Sequence, residues 1–231
     1  MAGIESINDP IKNYITSKKT TKRTKNQDRW LLKSIDNVLE RKNRPPSEGK
    51  FYPSVFGNPC DKYLYMAYNG LLDWDTIKPR IQRIFDHGGT FEGRMKKYLE
   101  KAELYIDDEV SIKNEDPPIS GRIDFIIKHD KYEEALLELK TIKDEDFKEL
   151  KEAPKHEHLI QLQIYLNLTD RDYGVVLYEN KNDQNLKAFK VDRDKKIWED
   201  ILDRCKKIMA MTIEPEECTG MWYCKCKNRR D

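Results

Sequence analysis

Two short apolar segments, each interrupted by a single carboxylate, constrain this chain more than any other feature. Gly121-Arg122-Ile123-Asp124-Phe125-Ile126-Ile127 and Ala135-Leu136-Leu137-Glu138-Leu139-Lys140-Thr141 both read as strands, with a turn at Lys131-Tyr132 between them. Side chains alternate between the faces of a strand, so Glu138 and Lys140 share one face while Leu137 and Leu139 take the other. If the two strands pair as a hairpin, Asp124 stands beside Glu138. Carboxylates among apolar neighbours are costly to bury unless a cation compensates them. Hard oxygen donors favour Mg²⁺ or Mn²⁺. Lys140 can orient a water and stabilise charge developing on a phosphate, so the group suits phosphodiester hydrolysis. A structural salt bridge, Glu138 with Lys140 or Asp124 with Arg122, fits the same residues.

Composition sets the outer bounds. The 231 residues suffice for one well-buried domain, or one domain with a helical elaboration. Charged residues make up 37% and the mean hydropathy is -0.87, yet the apolar 38% is concentrated in periodic segments, which excludes a disordered composition. Lys and Arg total 43 against 42 Asp and Glu. Global charge therefore neither favours nor excludes a nucleic-acid partner, and only local patches can. No apolar run approaches the ~20 residues that span a bilayer. The N-terminus lacks the apolar core of a secretory signal, so a soluble, intracellular, cytoplasmic protein without membrane contact is expected. Five cysteines there are thiols or metal ligands rather than disulfides.

Along the chain, residues 1–25 read as a poorly ordered tail ending in the basic run Lys18, Lys19, Lys22, Arg23 and Lys25. Residues 27–42 set Trp30, Leu31, Ile35, Val38 and Leu39 on one helical stripe, and Arg44-Pro45-Pro46 breaks the chain. Residues 1–50 thus form a basic tail and N-terminal helix preceding a domain over 51–231. Short helices are predicted over 60–70 and 77–86. Gly88 and Gly89 interrupt, and a further amphipathic helix covers 90–102 with Phe91, Met95, Tyr98 and Leu99. Strands follow over 104–113, 121–128 and 134–141. A helix over 156–168, a hairpin of 173–179 with 186–192, and a long helix over 194–212 complete the order. This pattern predicts an α/β fold with a mixed central sheet flanked by helices and a helical N-terminal extension. Neither GxGxxG nor GxxxxGK[ST] is present, so nucleotide binding has no support.

Gly121-Arg122-Ile123-Asp124, then Leu137-Glu138-Leu139-Lys140, then Gln161-x-x-x-Tyr165 in LIQLQIYL resemble the PD-(D/E)XK superfamily, specifically its RecB-like exonuclease branch. The ordered set covers about residues 53–226. The resemblance implies a restriction-endonuclease-like core and a metal-dependent DNA exonuclease acting on single-stranded ends. It further implies that Asp124, Glu138 and the Leu139 backbone carbonyl bind Mg²⁺ or Mn²⁺, that Lys140 handles the attacking water, and that Gln161 and Tyr165 face the site and the DNA strand. A third acidic or imidazole ligand is expected on a helix upstream. Glu92 occupies that position, where the branch usually has His, while His87 precedes the glycine pair. The same core serves structure-selective endonucleases, and a non-catalytic DNA-binding module is the reading from another class. Recombination, replication and CRISPR adaptation proteins are the partners such a nuclease would have.

Cys60 before this core and Cys218, Cys224 and Cys226 after it resemble the iron–sulfur subgroup, similar to AddB-type and CRISPR-associated nucleases. In that subgroup four thiolates hold a 4Fe–4S cluster and link the chain ends. The spacing C-x5-C-x-C differs from the C-x2-C-x5-C usual there. Tetrahedral Zn²⁺ satisfies four thiolates equally well, and unligated thiols remain open. Cys205 reads as a spectator. Candidate DNA contacts are Lys62, Tyr63 and Tyr65, then Arg94, Lys96 and Lys97 beside Glu92, and the tail residues Lys225, Lys227, Arg229 and Arg230.

Overall fold

A computed structural model describes residues 29–40, 47–72, 77–218 and 224–227. The basic run at 18–25, the break at 44–46, the side chain of Lys225, and Arg229 and Arg230 lie outside the described residues. The described helices are α1 (Arg29–Leu39), α2 (Asp61–Tyr68), α3 (Pro79–Lys101), α4 (Asp144–Glu149), α5 (His156–Leu168) and α6 (Lys195–Ala210). The strands are β1 (Tyr105–Asn114), β2 (Ile119–His129), β3 (Glu133–Ile142), β4 (Tyr173–Asn180) and β5 (Leu186–Asp192).

The strands form a sheet in the order β1-β2-β3-β4-β5. β1 pairs with β2 and β2 with β3 antiparallel, β3 and β4 are parallel, and β5 returns antiparallel to β4. A parallel pair needs a crossover, which α4 and α5 supply between β3 and β4. The mixed sheet flanked by helices, preceded by helices, is the architecture that the order of elements predicts.

One face of the sheet is closed by α3 and the other by α5, with the short α4 beside it. Phe91, Met95 and Leu99 of α3, spaced four residues apart, pack on Phe125, Leu137 and Leu139. Leu162, Tyr165 and Leu166 of α5 cover Ile123, Ile126, Leu136, Val176 and Tyr178 on the other face. The opposite side of α5, through Ile160 and Ile164, enters a second core with Phe51, Phe56, Leu64, Met66, Ile201 and Ile208. Residues 160–166 are consequently all buried, Gln161 and Gln163 among them, because the helix has a core on both sides.

Several sequence expectations are corrected. Gly88 and Gly89 do not interrupt; α3 runs unbroken through them for 23 residues. Each helical glycine costs about 1 kcal/mol relative to alanine, but the apolar seam of the following turns outweighs that. His87 accordingly lies inside the helix. Strands β2 and β3 span 11 and 10 residues, longer than predicted. The short α4 was not anticipated. The apolar stripe of α1 forms a helix, but Trp30 and Val38 are 75% and 81% exposed among the described residues. No helix among these residues is long and apolar enough to cross a membrane.

Candidate active site and cysteine centre

The sheet opens around Asp124. The β2–β3 ladder runs from His129 opposite Glu133 to Phe125 opposite Leu137 and stops. One step further would pair Asp124 with Glu138, but there the Asp124 Oδ2 itself accepts the Leu139 backbone N–H at 2.7 Å. On the other side, β1 passes from Asp108 opposite Phe125 to Val110 opposite Ile123, skipping Glu109. Glu109 has φ 53, the left-handed backbone that non-glycine residues rarely adopt. A carboxylate therefore replaces regular pairing at the centre of three strands.

Glu138 is 1% exposed. Its Oε1 accepts hydrogen bonds from Lys140 Nζ and from Gln161 Nε2, the latter at 2.7 Å. The same amide lies 3.2 Å from the Tyr165 hydroxyl, one turn along α5. The other carboxylate oxygen, Oε2, is buried without a partner. Such an oxygen costs free energy unless something positive meets it.

A cleft of about 280 Å³ separates α3 from β1 and β2, lined by Glu92, Lys96, Asp108, Glu109, Asp124 and Phe125. Gly89 and Gly93 form its wall on the helix side, and a Cβ at either would meet nothing within 4 Å. Their lack of side chains keeps the backbone beside Glu92 open to solvent. The sequence reading missed Gly89, Gly93 and Glu109; the signal for the glycines is their i, i+4 spacing around Glu92.

The electrostatics are those of clustered acids short of positive charge. Burial pushes the Glu138 carboxyl up to about 7, assisted by Asp124 and Glu92 and opposed by Lys140. Burial also raises Asp124, against the pull of Lys140 and the Leu139 N–H, and raises Glu92, helped by Asp124. For Lys140, burial acts downward but is outweighed by Glu138, Asp124 and Glu92, which hold the ammonium charged. The hard oxygen set, with one buried oxygen unpartnered, fits a divalent cation. Glu92 and Asp124 line the cleft and Glu138 lies behind its lining; among the described residues the three do not close within 4.8 Å of one another, unlike the cysteines.

Cys60, Cys218, Cys224 and Cys226 bring their sulfurs within 4.8 Å of one another. Cys60 caps α2, its Sγ accepting the Tyr63 N–H at 3.4 Å, and lies 3.7 Å from the Cys218 sulfur, 158 residues away in sequence. The Asn58 amide packs 3.7 Å from Cys224 Sγ, and its Oδ1 accepts the Cys60 N–H at 2.9 Å. Burial raises the Cys226 thiol, as do its hydrogen bonds to the other three cysteines. Arg204 of α6 holds the loop leading to Cys60, donating to the Phe56 and Asn58 carbonyls at 3.1 and 2.8 Å and to Asp61 at 2.9 Å. Burial pushes Asp61 up, but Lys207 and Arg204 outweigh it and keep the carboxyl below its ordinary value. Cys205 stands apart in the core, its thiol pushed by burial up to about 12.

Most of the anticipated DNA contacts are otherwise engaged. Tyr63 and Tyr65 are buried in the core and cannot stack on bases. Lys62 pairs with Glu214 at 3.1 Å, and Lys96 with Asp108 at 2.7 Å. Arg94 is paired with the buried Glu179. Lys97 and Lys227 are exposed.

No family model matches the chain, and no curated protein matches it. Among solved structures it is similar to the protein SSO0001, at 20% identity over 80% of this chain and 85% of that one, with a TM-score of 0.46. It is also similar to the alkaline exonuclease LHK-Exo of Laribacter hongkongensis, at 16% identity over 77% and 91%, TM-score 0.48. A phage-related exonuclease of Haemophilus somnus 129PT matches at 16% identity over 52% and 66%, TM-score 0.38. The chemistry assigned to this chain rests on its own residues.

Proposed function

We propose that residues 51–231 form a divalent-metal-dependent nuclease domain of the RecB-like PD-(D/E)XK type, following a tail and helix over 1–50, and that its substrate is a single-stranded DNA end. The observation that carries this reading is the buried, unpartnered Oε2 of Glu138, set among Asp124, Lys140 and Gln161. Glu179 also leaves one buried oxygen unpartnered beside Arg94, but Glu138 shares its surroundings with two further carboxylates, Asp124 and Glu92, that a divalent cation would compensate.

Glu92, Asp124, Glu138 and the Leu139 carbonyl would hold Mg²⁺ or Mn²⁺. The cation supplies Lewis acidity at the scissile phosphate. Lys140, kept charged by three carboxylates, orients the attacking water and offsets negative charge developing on the phosphate. Gln161 fixes the Glu138 carboxylate through Oε1 and leaves Oε2 for the cation. Tyr165, whose hydroxyl burial keeps protonated, supports the amide of Gln161 and the strand.

For the cysteines we assign a 4Fe–4S cluster that ties the start and end of the domain together. Four sulfurs drawn from opposite ends of the domain, within 4.8 Å of one another, support a metal centre over four idle thiols. Zn²⁺ is the competing occupant, and a visible spectrum with iron and zinc analysis of anaerobically purified protein decides between them.

The function is tested by giving the purified protein Mn²⁺ with an end-labelled linear oligonucleotide and, separately, a covalently closed single-stranded circle. Degradation of the linear strand alone identifies an exonuclease. Nicking of the circle assigns the same site to an endonuclease, and no cleavage of either overturns the enzyme.

A further inference from the structure

The face of α5 that carries Gln161 and Tyr165 has a third polar member. His158 precedes Gln161 by about one turn, and its Nδ1 lies 2.7 Å from the Tyr178 hydroxyl. Two registers locate it. Gln161 is tied to Glu138, and β3 lies beside β4 with Glu138 opposite Val176 and Lys140 opposite Tyr178. The residue one turn before Gln161, bonded to Tyr178, therefore sits one step further along β3, beside Lys140.

Hydrogen-bond accounting then assigns the imidazole proton. Tyr178 is fully buried, and its oxygen already accepts the Lys155 backbone N–H at 3.0 Å. A hydroxyl has one proton to give, and a buried one needs an acceptor. His158 Nδ1 is the acceptor within reach among the described residues. With Nδ1 accepting, the neutral ring carries its proton on Nε2. No protein group bonds Nε2 among the described residues, and it is absent from the buried atoms that lack a partner, so it remains open to solvent. Burial, with Lys140 and Lys155 nearby, holds the ring well below its ordinary value, at about 3, so it stays neutral where enzymes work.

A neutral, directed N–H next to a lysine is suited to a phosphate oxygen. It adds a bond of fixed direction without a second charge to desolvate. We infer that His158 is a further substrate-binding residue of this site, its Nε2–H, fixed by Tyr178, donating to a phosphate oxygen of the strand engaged by Lys140. The inference rests on the nuclease reading above and adds to it a residue that holds the strand.

The test measures affinity for a labelled single-stranded oligonucleotide with Ca²⁺ in place of Mg²⁺, alongside Mn²⁺-driven cleavage. Loss of one hydrogen bond to a charged group predicts that His158→Ala raises Kd about tenfold or more. His158→Gln, which keeps a neutral donor, recovers most of that loss. Tyr178→Phe, which frees the tautomer, falls between them. Independently, ¹H–¹⁵N spectra of the DNA-free protein should place the His158 proton on Nε2. A proton on Nδ1 overturns the inference, as does an unchanged Kd for His158→Ala when the wild type binds and cleaves. A wild type that neither binds nor cleaves DNA brings down the nuclease reading, and this inference with it.

Discussion

Asp124 Oδ2 accepts the Leu139 backbone N–H at 2.7 Å, so a side chain of β2 takes the place of the main-chain partner that β3 would otherwise find there. The bond has two consequences. It holds the strands apart where Glu138 begins, and it leaves the second oxygen of Asp124 for another ligand.

Asp124→Asn separates these roles. The asparagine carbonyl can still accept the Leu139 N–H, so thermal stability should change by less than about 1 kcal/mol. Cation binding and cleavage should fall by about a hundredfold or more, since a neutral amide is a poor partner for Mg²⁺. Paired melting curves and end-labelled cleavage assays check both. Loss of stability without loss of cleavage would reduce Asp124 to a strand clip.

Glu138 gives the metal-free protein an unusual pH response. Its carboxyl ionises at about 7 in the folded chain against an ordinary value of 4.5. Between those values the folded state binds more protons than the unfolded, so stability falls as pH rises through that window. Asp124 and Glu92 are shifted in the same direction. Stripped protein should therefore melt lower at pH 7.5 than at pH 5.5. Mg²⁺ or Mn²⁺ should restore the difference, and Glu138→Gln should flatten the slope without added metal. Differential scanning calorimetry across that range measures it.

Much of this was legible in the sequence because local rules and tertiary demands agree. Alternation around Asp124 and Glu138 fixes two strands, and the apolar residues of 159–166, interrupted by Gln161 and Gln163, fix a buried helix. The failures have physical causes. Gly88 and Gly89 read as a break because propensity is local, whereas the seam of Phe91, Met95 and Leu99 that carries the helix onward acts through the sheet. The short α4 depends on Phe147 in the core, on Asn180 bonding Asp144 at 2.9 Å, and on Lys187 donating to the Phe147 and Leu150 carbonyls at 2.7 Å. Those partners come from β4 and β5. Tyr63 and Tyr65 read as a stacking surface, since burial by a helix more than a hundred residues later leaves no local mark.

Arg94 and Glu179 illustrate the same point at the site. Glu179 is 3% exposed, and Arg94 is bonded to one of its oxygens while the other has no partner. Arg94→Met would leave a buried carboxylate alone, at a cost of about 3 kcal/mol. The pair also fixes α3 against β4, two residues from Glu92. Arg94→Met should thus lower Tm by roughly 10 °C and weaken Mn²⁺ binding, followed by calorimetric titration. The double variant Arg94→Met with Glu179→Leu should recover the stability.

The cysteine centre predicts a split between four residues and the fifth. Serine at Cys60, Cys218, Cys224 or Cys226 should each abolish bound iron or zinc and lower Tm, because the link from Cys60 to the C-terminal segment is lost. Cys205→Ala should keep the metal and cost about 1 kcal/mol, the effect of removing one buried sulfur. Metal analysis of the five variants decides. Equal metal content in Cys224→Ser and wild type would remove Cys224 from the ligand set.

Gly121 connects the strand motif to the helix that faces it. A Cβ there would come within 2.9 Å of both Tyr165 Cε1 and Pro53 Cγ, closer than real contacts allow. The absence of a side chain is what lets the Tyr165 ring lie on β2, where its hydroxyl meets the Gln161 amide that holds Glu138. Gly121→Ala must push Tyr165 or the Pro53 segment away, costing about 1–3 kcal/mol as overpacking usually does. If the ring moves, Gln161 loses its partner and the Glu138 carboxylate loses its fixed rotamer. Turnover should fall further than the residual folded fraction explains, and Tyr165→Phe in the same background should add little more. A Gly121→Ala protein that is destabilised but turns over normally per folded molecule would show that Tyr165 serves packing alone.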